Sequence, residues 1–242
     1  GDIISRSYIN LTLQLMHEFG AEAGWNAEDT LTVSAQPYRP IPYYVESDWS
    51  AASYWYEMAA LAEKAEIELP GLFRQSYQGD SKVAELFGQL GVETVYEDRK
   101  VILRKSGTPV TRMDYNFINQ PDLAQTFVVT CALLDIPFRF TGLQSLKIKE
   151  TDRIAALIAE MKKLGYVIRE AEDSILYWEG ERCEADADPA IDTYEDHRMA
   201  MAFAPAILRQ EKLAIKHPEV VSKSYPRYWD NLLTAGFGIT EV

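Results

Sequence analysis

Four short segments of the chain bring together side chains able to do chemistry. The densest is Lys147-Ile148-Lys149-Glu150-Thr151-Asp152-Arg153, which leads straight into the amphipathic stretch 154–164. Unbonded N–H groups and the dipole at a helix start, added to lysine and arginine charge, make a site for an anion. Thr151 or Asp152 capping a solvated helix start accounts for the same residues with no ligand at all. In the second segment, 193–202, Asp196, His197 and Arg198 precede a Met/Ala stripe that belongs to core packing. Asp196 there reads as a helix cap with which Arg198 pairs locally, and His197 as a hydrogen-bonded structural histidine. No second His or Cys stands at ligand spacing, so a metal site is rejected. The third segment, Ser222-Lys223-Ser224-Tyr225-Pro226, holds a lysine between hydroxyls ahead of a helix at Tyr228, and a surface turn also explains it. The fourth is Asn119-Gln120-Pro121-Asp122, where Asp122 is either a capping acid or a general base.

An internal repeat must position these groups. Amphipathic stretches at 13–20, 83–91, 154–165 and 228–236 each end in an apolar-Gly step, and their glycines, Gly20, Gly91, Gly165 and Gly236, lie 71, 74 and 71 residues apart. They read as helix C-caps, where a residue without Cβ enters the left-handed region cheaply. Strand-like alternation follows, clearest at 92–103 and 166–178, around the Glu97-Asp98 and Glu172-Asp173 turns. A second helix then begins at Asp48, Asp122 and Asp196, each 74 residues from the next. The period exceeds that of solenoid repeats, so each copy is expected to be a βαβαββ unit of a globular α+β domain. Helix starts of repeated units gather at one end, so Asp122, Asp196, Lys149, Glu150 and Arg153 are expected to converge on one pocket. Residues 1–35 supply only the later part of a first copy, which calls for a partner segment upstream.

With 37 acidic against 24 basic residues the chain carries a formal charge of -13, which repels nucleic acid and anionic membrane surfaces. An anion could bind only where basic residues gather. The apolar stretch 126–138 is broken by Asp135 and Pro137 and is too short to cross a bilayer. Two cysteines, Cys131 and Cys183, fit neither a metal site nor a disulfide framework, which favours the cytosol. The opening residues carry neither an apolar signal core nor an Arg-rich transit pattern.

Taken together, Lys149-Glu150-Thr151-Asp152-Arg153 and Asp196-His197-Arg198-Met199-Ala200-Met201-Ala202 resemble the paired signature of 5-enolpyruvylshikimate-3-phosphate synthases. The resemblance runs along essentially the whole chain. It implies two domains built from βαβαββ units, an α/β prism or inside-out α/β barrel, closing over substrates in a cleft. Residues 1–45 would then finish the N-terminal, shikimate-phosphate-binding domain, and 46–242 would form the C-terminal domain with the phosphoenolpyruvate-binding residues. The implied reaction moves the enolpyruvyl group of phosphoenolpyruvate onto the 5-hydroxyl of shikimate 3-phosphate and releases phosphate.

By this resemblance Ser5, Tyr8, Asp122 and Lys149 are shikimate 3-phosphate contacts. Ser145 stands where many members of the family place an Asn, and a hydroxyl still hydrogen-bonds. Asp122 and Glu150 are the implied catalytic acids: Asp122 accepts the proton of the attacking hydroxyl, and Glu150 protonates the methylene carbon and later removes a proton. Arg153, Arg198 and Lys223 hold the phosphoenolpyruvate carboxylate and phosphate. No cofactor is implied. The partners are the two small substrates and the missing N-terminal half of the same protein. The related transferase acting on a UDP-linked amino sugar lacks the combination of Lys149-Glu150 with His197-Arg198. A non-catalytic, anion-binding half-module is the other alternative, and the isolated chain is expected to turn over little or not at all.

Overall fold

Acid-led apolar runs fold into helices that fill the interior, and alternating runs fold into sheets laid over them. The computed structural model describes residues 3–4 and 6–241. Helix α1 (Arg6–Glu18) ends at Gly20 and is followed by the antiparallel hairpin of β1 (Ala23–Ala27) and β2 (Thr30–Val33). Among the described residues between 3 and 48 only Leu13 and Ala21 are buried. The first full run of core then starts at Trp49.

Asp48, in extended backbone, accepts the Ser50 N–H and caps α2 (Trp49–Leu61). After it come β3 (Glu66–Pro70), α3 (Val83–Gly88), β4 (Val92–Glu97) and β5 (Lys100–Lys105), with β5 antiparallel to both β3 and β4. Gly91 turns the chain from α3 into β4 at φ +82°, and a Cβ there would come within 2.9 Å of the Ser106 carbonyl oxygen, so no other residue fits without a shift.

The next copy is complete: β6 (Met113–Asn116), α4 (Ala124–Leu133), β7 (Phe138–Thr141), α5 (Arg153–Lys163), β8 (Arg169–Ala171) and β9 (Ile175–Trp178). Its sheet runs β6-β7-β9-β8, parallel between β6 and β7 and antiparallel elsewhere. The parallel pair requires a crossover, and α4 supplies it. The last copy shows β10 (Ala190–Ile191), α6 (His197–Phe203), β11 (Ala214–Ile215) and α7 (Tyr228–Thr234), with β10 and β11 again parallel. The four repeat glycines all take positive φ, from +80° to +95°, as the C-cap reading requires.

Every residue of α4 is buried, and in α2 only Ala51 is not. A helix apolar on all sides belongs at the centre of a core, and Phe87 of α3 packs at a tilt against Phe127 of α4 with ring centroids 4.5 Å apart. The strands lie outside: β5 turns Val101 and Leu103 inward, while Glu66 and Glu68 of β3 face water. Helices inside and sheets outside is the arrangement the resemblance leads one to expect.

One acid is misplaced in that core. Glu57, in the middle of α2, is completely buried, and neither of its carboxyl oxygens has a hydrogen-bond partner. Burial pushes its pKa well above the ordinary carboxylate range, and the nearby Thr130 hydroxyl, whose proton goes to the Thr126 carbonyl, offsets little of that. Because the folded state holds this proton more tightly than the unfolded chain, the contribution of Glu57 to stability is greatest below the unfolded value near 4.5 and is lost as pH rises through the folded value. Glu57→Met, which keeps the volume and removes the charge, is therefore expected to raise the melting temperature at pH 8 by at least roughly 2–4 °C, with a smaller gain at pH 5. Thermal scans at the two pH values check this; equal gains would show that folding does not shift the Glu57 pKa.

Candidate active site

Two helix starts and one turn bring the charged residues together. Asp152, in extended backbone, accepts the Ala155 N–H and caps α5. Arg153, the first residue of that helix, points inward and is 1% exposed. Its Nε donates to Asp196 Oδ2 at 2.6 Å and its Nη2 to Asp196 Oδ1 at 3.3 Å. Nη2 also donates to Glu150 Oε2 at 2.7 Å, and Nη1 to Asp122 Oδ1 at 3.1 Å. Arg198 Nη2 reaches Asp122 Oδ2 at 2.9 Å, and Lys149 Nζ lies 3.5 Å from Asp122 Oδ1. Lys223, in the turn ahead of α7, donates to Glu150 Oε1 at 2.7 Å. Four cations and three carboxylates thus form one connected cluster at the heads of α4, α5 and α6, in a chain whose net charge is -13.

The three repeat aspartates have parted roles. Asp48 and Asp196 cap α2 and α6, each accepting the backbone N–H two residues on. Asp122 caps nothing: it sits in the 3-10 turn Pro121–Leu123, where Pro121 gives up no N–H, and α4 begins after it. Its carboxylate is free to meet the cations. Burial alone would lift the Asp122 pKa, but Arg198, Lys149 and Arg153 outweigh burial and hold it below the usual carboxylate value. Partial burial likewise works against ionised Glu150; the Lys223 hydrogen bond, backbone N–H bonding and Arg153 prevail and bring its pKa down to about 2.

Two local expectations are corrected. Arg198 does not pair with Asp196 through its side chain; only its backbone N–H reaches Asp196, and the guanidinium turns to Asp122 and to Tyr54 Oη at 3.4 Å. Both Asp196 carboxylate oxygens are already engaged by Arg153, which leaves Asp122 Oδ2 as the open acceptor. His197 is not hydrogen-bonded through Nδ1, which is buried without a partner and lies 3.7 Å from Asp196 Oδ1. Burial, then Arg198, lower its pKa and keep the ring neutral.

Tyr8, on α1, faces the cluster from the far side, its Oη donating to both Asp80 carboxylate oxygens at 3.4 Å. Ser145 is buried in the 3-10 turn Gln144–Ile148 and takes no part in the cluster's contacts. Ser5 lies outside the described residues. Three residues at the cluster escape sequence reading. Asp80, 1% exposed, accepts from Ser50 and Tyr8, and burial lifts its pKa to about 6. Tyr54, buried on α2, meets Arg198, and burial pushes its phenol up to about 12. Glu160, fully buried on α5, holds the turn before Asp196. In that turn Tyr194 and Glu195 both adopt left-handed backbone, φ 54° and 57°, at on the order of 1–2 kcal/mol each.

This architecture places the chain among the enolpyruvyl transferases in fold. It superimposes on an EPSP synthase from Acinetobacter baumannii with a TM-score of 0.72, at 21% identity, over 93% of this chain and 54% of that one. The enolpyruvyl transferase NikO from Streptomyces tendae matches with a TM-score of 0.64 at 16% identity, over 95% of this chain and 53% of that one. The chain belongs to the EPSP synthase (3-phosphoshikimate 1-carboxyvinyltransferase) family, whose family model matches residues 1–232. Among curated relatives, a 3-phosphoshikimate 1-carboxyvinyltransferase from Bacteroides fragilis is 64% identical over 239 residues, which is 99% of this chain and 58% of that protein. One from Vibrio campbellii is 34% identical over 234 residues, 96% of this chain and 54% of that protein. The chain therefore spans a little over half the length of the curated relatives it matches.

Proposed function

We propose that the protein carrying this chain transfers the enolpyruvyl group of phosphoenolpyruvate to the 5-hydroxyl of shikimate 3-phosphate, releasing phosphate, in the cytosol. The observation that carries this reading is the single cluster of Arg153, Arg198, Lys149 and Lys223 around Asp122 and Glu150. Two multiply anionic substrates packed side by side repel strongly in a closed, low-dielectric cleft, and fixed cations remove that penalty without reorganising. Arg153, Arg198 and Lys223 take the carboxylate and phosphate of phosphoenolpyruvate. Tyr8, Lys149 and Asp122 take shikimate 3-phosphate, with Ser5 and Ser145 as further contacts. Glu150 delivers a proton to the methylene carbon, the neighbouring carbon becomes cationic, and the 5-hydroxyl attacks it as Asp122 accepts its proton. Loss of phosphate, with a proton returned to Glu150, regenerates the enol ether.

Residues 1–45 close a first, shikimate-phosphate-binding domain and 46–242 form the second. The near absence of buried residues before Trp49 supports that division, as does the share of the relatives' length that the chain covers. The remaining half of the cleft comes from the missing N-terminal half of the same protein, so this chain by itself is expected to bind an anion with little or no turnover. Among the described residues no helix is long and apolar enough to cross a membrane.

The test is enolpyruvyl transfer by the full-length protein with shikimate 3-phosphate and, separately, a UDP-linked amino sugar as acceptor. Turnover with the sugar alone would reverse the acceptor assignment. In the same protein Arg198→Ala is expected to weaken phosphoenolpyruvate by about 1.5–3 kcal/mol, the worth of a charge-assisted hydrogen bond, or roughly 10–150-fold in dissociation constant. Calorimetry reads this, and unchanged affinity would remove Arg198 from the phosphoenolpyruvate site.

A further inference from the structure

We propose that Glu160 is a positioning residue for the phosphoenolpyruvate cations, acting through the turn that delivers Asp196 and Arg198. The inference rests on the function proposed above. Glu160 lies two helical turns beyond Arg153 on α5 and is fully buried. Its Oε2 accepts the Asp192 N–H at 3.0 Å and the Lys163 ammonium at 2.6 Å, and its Oε1 accepts the Tyr194 hydroxyl at 2.7 Å. One carboxylate therefore ties down the entry and the middle of the segment linking β10 to α6.

That segment needs a fastener. Tyr194 and Glu195 are consecutive non-glycine residues with positive φ, a conformation that persists only where the surroundings over-determine it. The Thr193 side chain does not hold it, because its hydroxyl is buried without a partner. Lys163 reinforces the same point by reaching the Ala190 carbonyl at 2.9 Å and the Asp192 carboxylate at 2.8 Å. The turn closes with the Asp196 N–H on the Thr193 carbonyl at 2.9 Å, and the next groups along the chain are the Asp196 carboxylate that clasps Arg153 and the Arg198 guanidinium that meets Asp122.

Helix α5 consequently grips the start of α6 at two places, with Arg153 on Asp196 and with Glu160 on the turn before it. Met199, Met201 and Phe203 anchor the body of α6 in the core, whereas the turn sets how its first residues stand. What it fixes is where two phosphoenolpyruvate-binding arginines stand relative to each other. In Glu160→Gln one carbonyl oxygen is left for three donors, and the new NH2 faces at least one of them. Tyr194→Phe removes one hydrogen bond and leaves the carboxylate in place.

The experiment uses the full-length protein. Glu160→Gln is expected to raise the KM and the calorimetric Kd for phosphoenolpyruvate about tenfold and Tyr194→Phe roughly threefold, with values for shikimate 3-phosphate held within about twofold. Exchange of the Arg198 backbone amide, which donates to Asp196, should accelerate in both. A lower melting temperature with unchanged affinity for both substrates overturns the proposal and leaves Glu160 a stabilising residue only. If Glu160→Gln does not fold, the same readings on Tyr194→Phe decide. If the unmodified protein binds no phosphoenolpyruvate, the functional reading fails; the amide exchange then decides the positioning role, acceleration supporting it and an unchanged rate overturning it.

Discussion

Glu150→Gln in the full-length protein is expected to lower turnover by about 10²–10⁴-fold while leaving the dissociation constants of both substrates within roughly threefold. The side chain proposed to deliver a proton to the methylene carbon and later take one back is held by its neighbours as a carboxylate with a pKa of about 2. Two of the influences holding it there are Lys223 on Oε1 and Arg153 on Oε2. These are also the cations assigned to the phosphate and carboxylate of phosphoenolpyruvate. A substrate that draws them away leaves only backbone N–H bonding against partial burial, which favours the neutral acid, so the pKa rises. On the proposed function, binding of phosphoenolpyruvate moves Glu150 toward the protonated form that donates to the methylene carbon.

The pH dependence follows with a definite sign. Since kcat/KM reports the free enzyme, no limb due to Glu150 should fall near the ordinary value of 4.5. The depressed pKa stabilises the fold above about 4.5, and that contribution fades as pH falls through about 2. Near-normal turnover by the Gln variant would take Glu150 out of the chemistry. A kcat/KM limb near 4.5 that vanishes in the variant would show that Lys223 and Arg153 do not hold the free carboxylate ionised.

What could be read from the sequence was what local chemistry dictates. Gly20, Gly91, Gly165 and Gly236 had to end helices, and all four do so with positive φ. Asp48 and Asp196 cap helices because a carboxylate two residues ahead of an unbonded N–H satisfies it without help from elsewhere. Asp122 holds the same register, but Pro121 places it in a 3-10 turn whose geometry frees the side chain, and only its partners tell it from a cap. Arg198 has an acid two residues before it and chooses another one 76 positions away, because the nearer one is occupied by Arg153. Asp80 beside Gly79 looks like any helix-start acid until Tyr8, 72 positions earlier, is seen against it. Glu160 and Tyr54 sit in helical runs with no spacing that marks them, and each acquires its role from a contact 34 or 144 residues distant. Pattern gives the helix starts; which charge answers which depends on the order in which buried partners are used up.

The largest effect on stability is expected from Arg153→Met. The guanidinium stands between three carboxylates, but they do not depend on it equally. Asp122 retains Arg198 at 2.9 Å and Lys149 at 3.5 Å, and Glu150 retains Lys223 at 2.7 Å. Asp196 is fully buried, and apart from Arg153 it has only the Arg198 N–H and the His197 ring, which is kept neutral. Removing one partner of a buried pair and leaving the other charged costs about 3–5 kcal/mol, or roughly 6–20 °C in melting temperature for a domain of this size. Arg153→Met combined with Asp196→Asn removes that stranded charge and keeps a side chain that caps helices as well as Asp does. The double variant is therefore expected to recover most of the lost stability while phosphoenolpyruvate binding stays impaired. Urea titration and calorimetry on the single and double variants separate the two roles. A single variant as stable as the unmodified protein would show that Asp196 finds compensation elsewhere, and a double variant that binds phosphoenolpyruvate normally would leave Arg153 a structural clasp and not a ligand-binding cation.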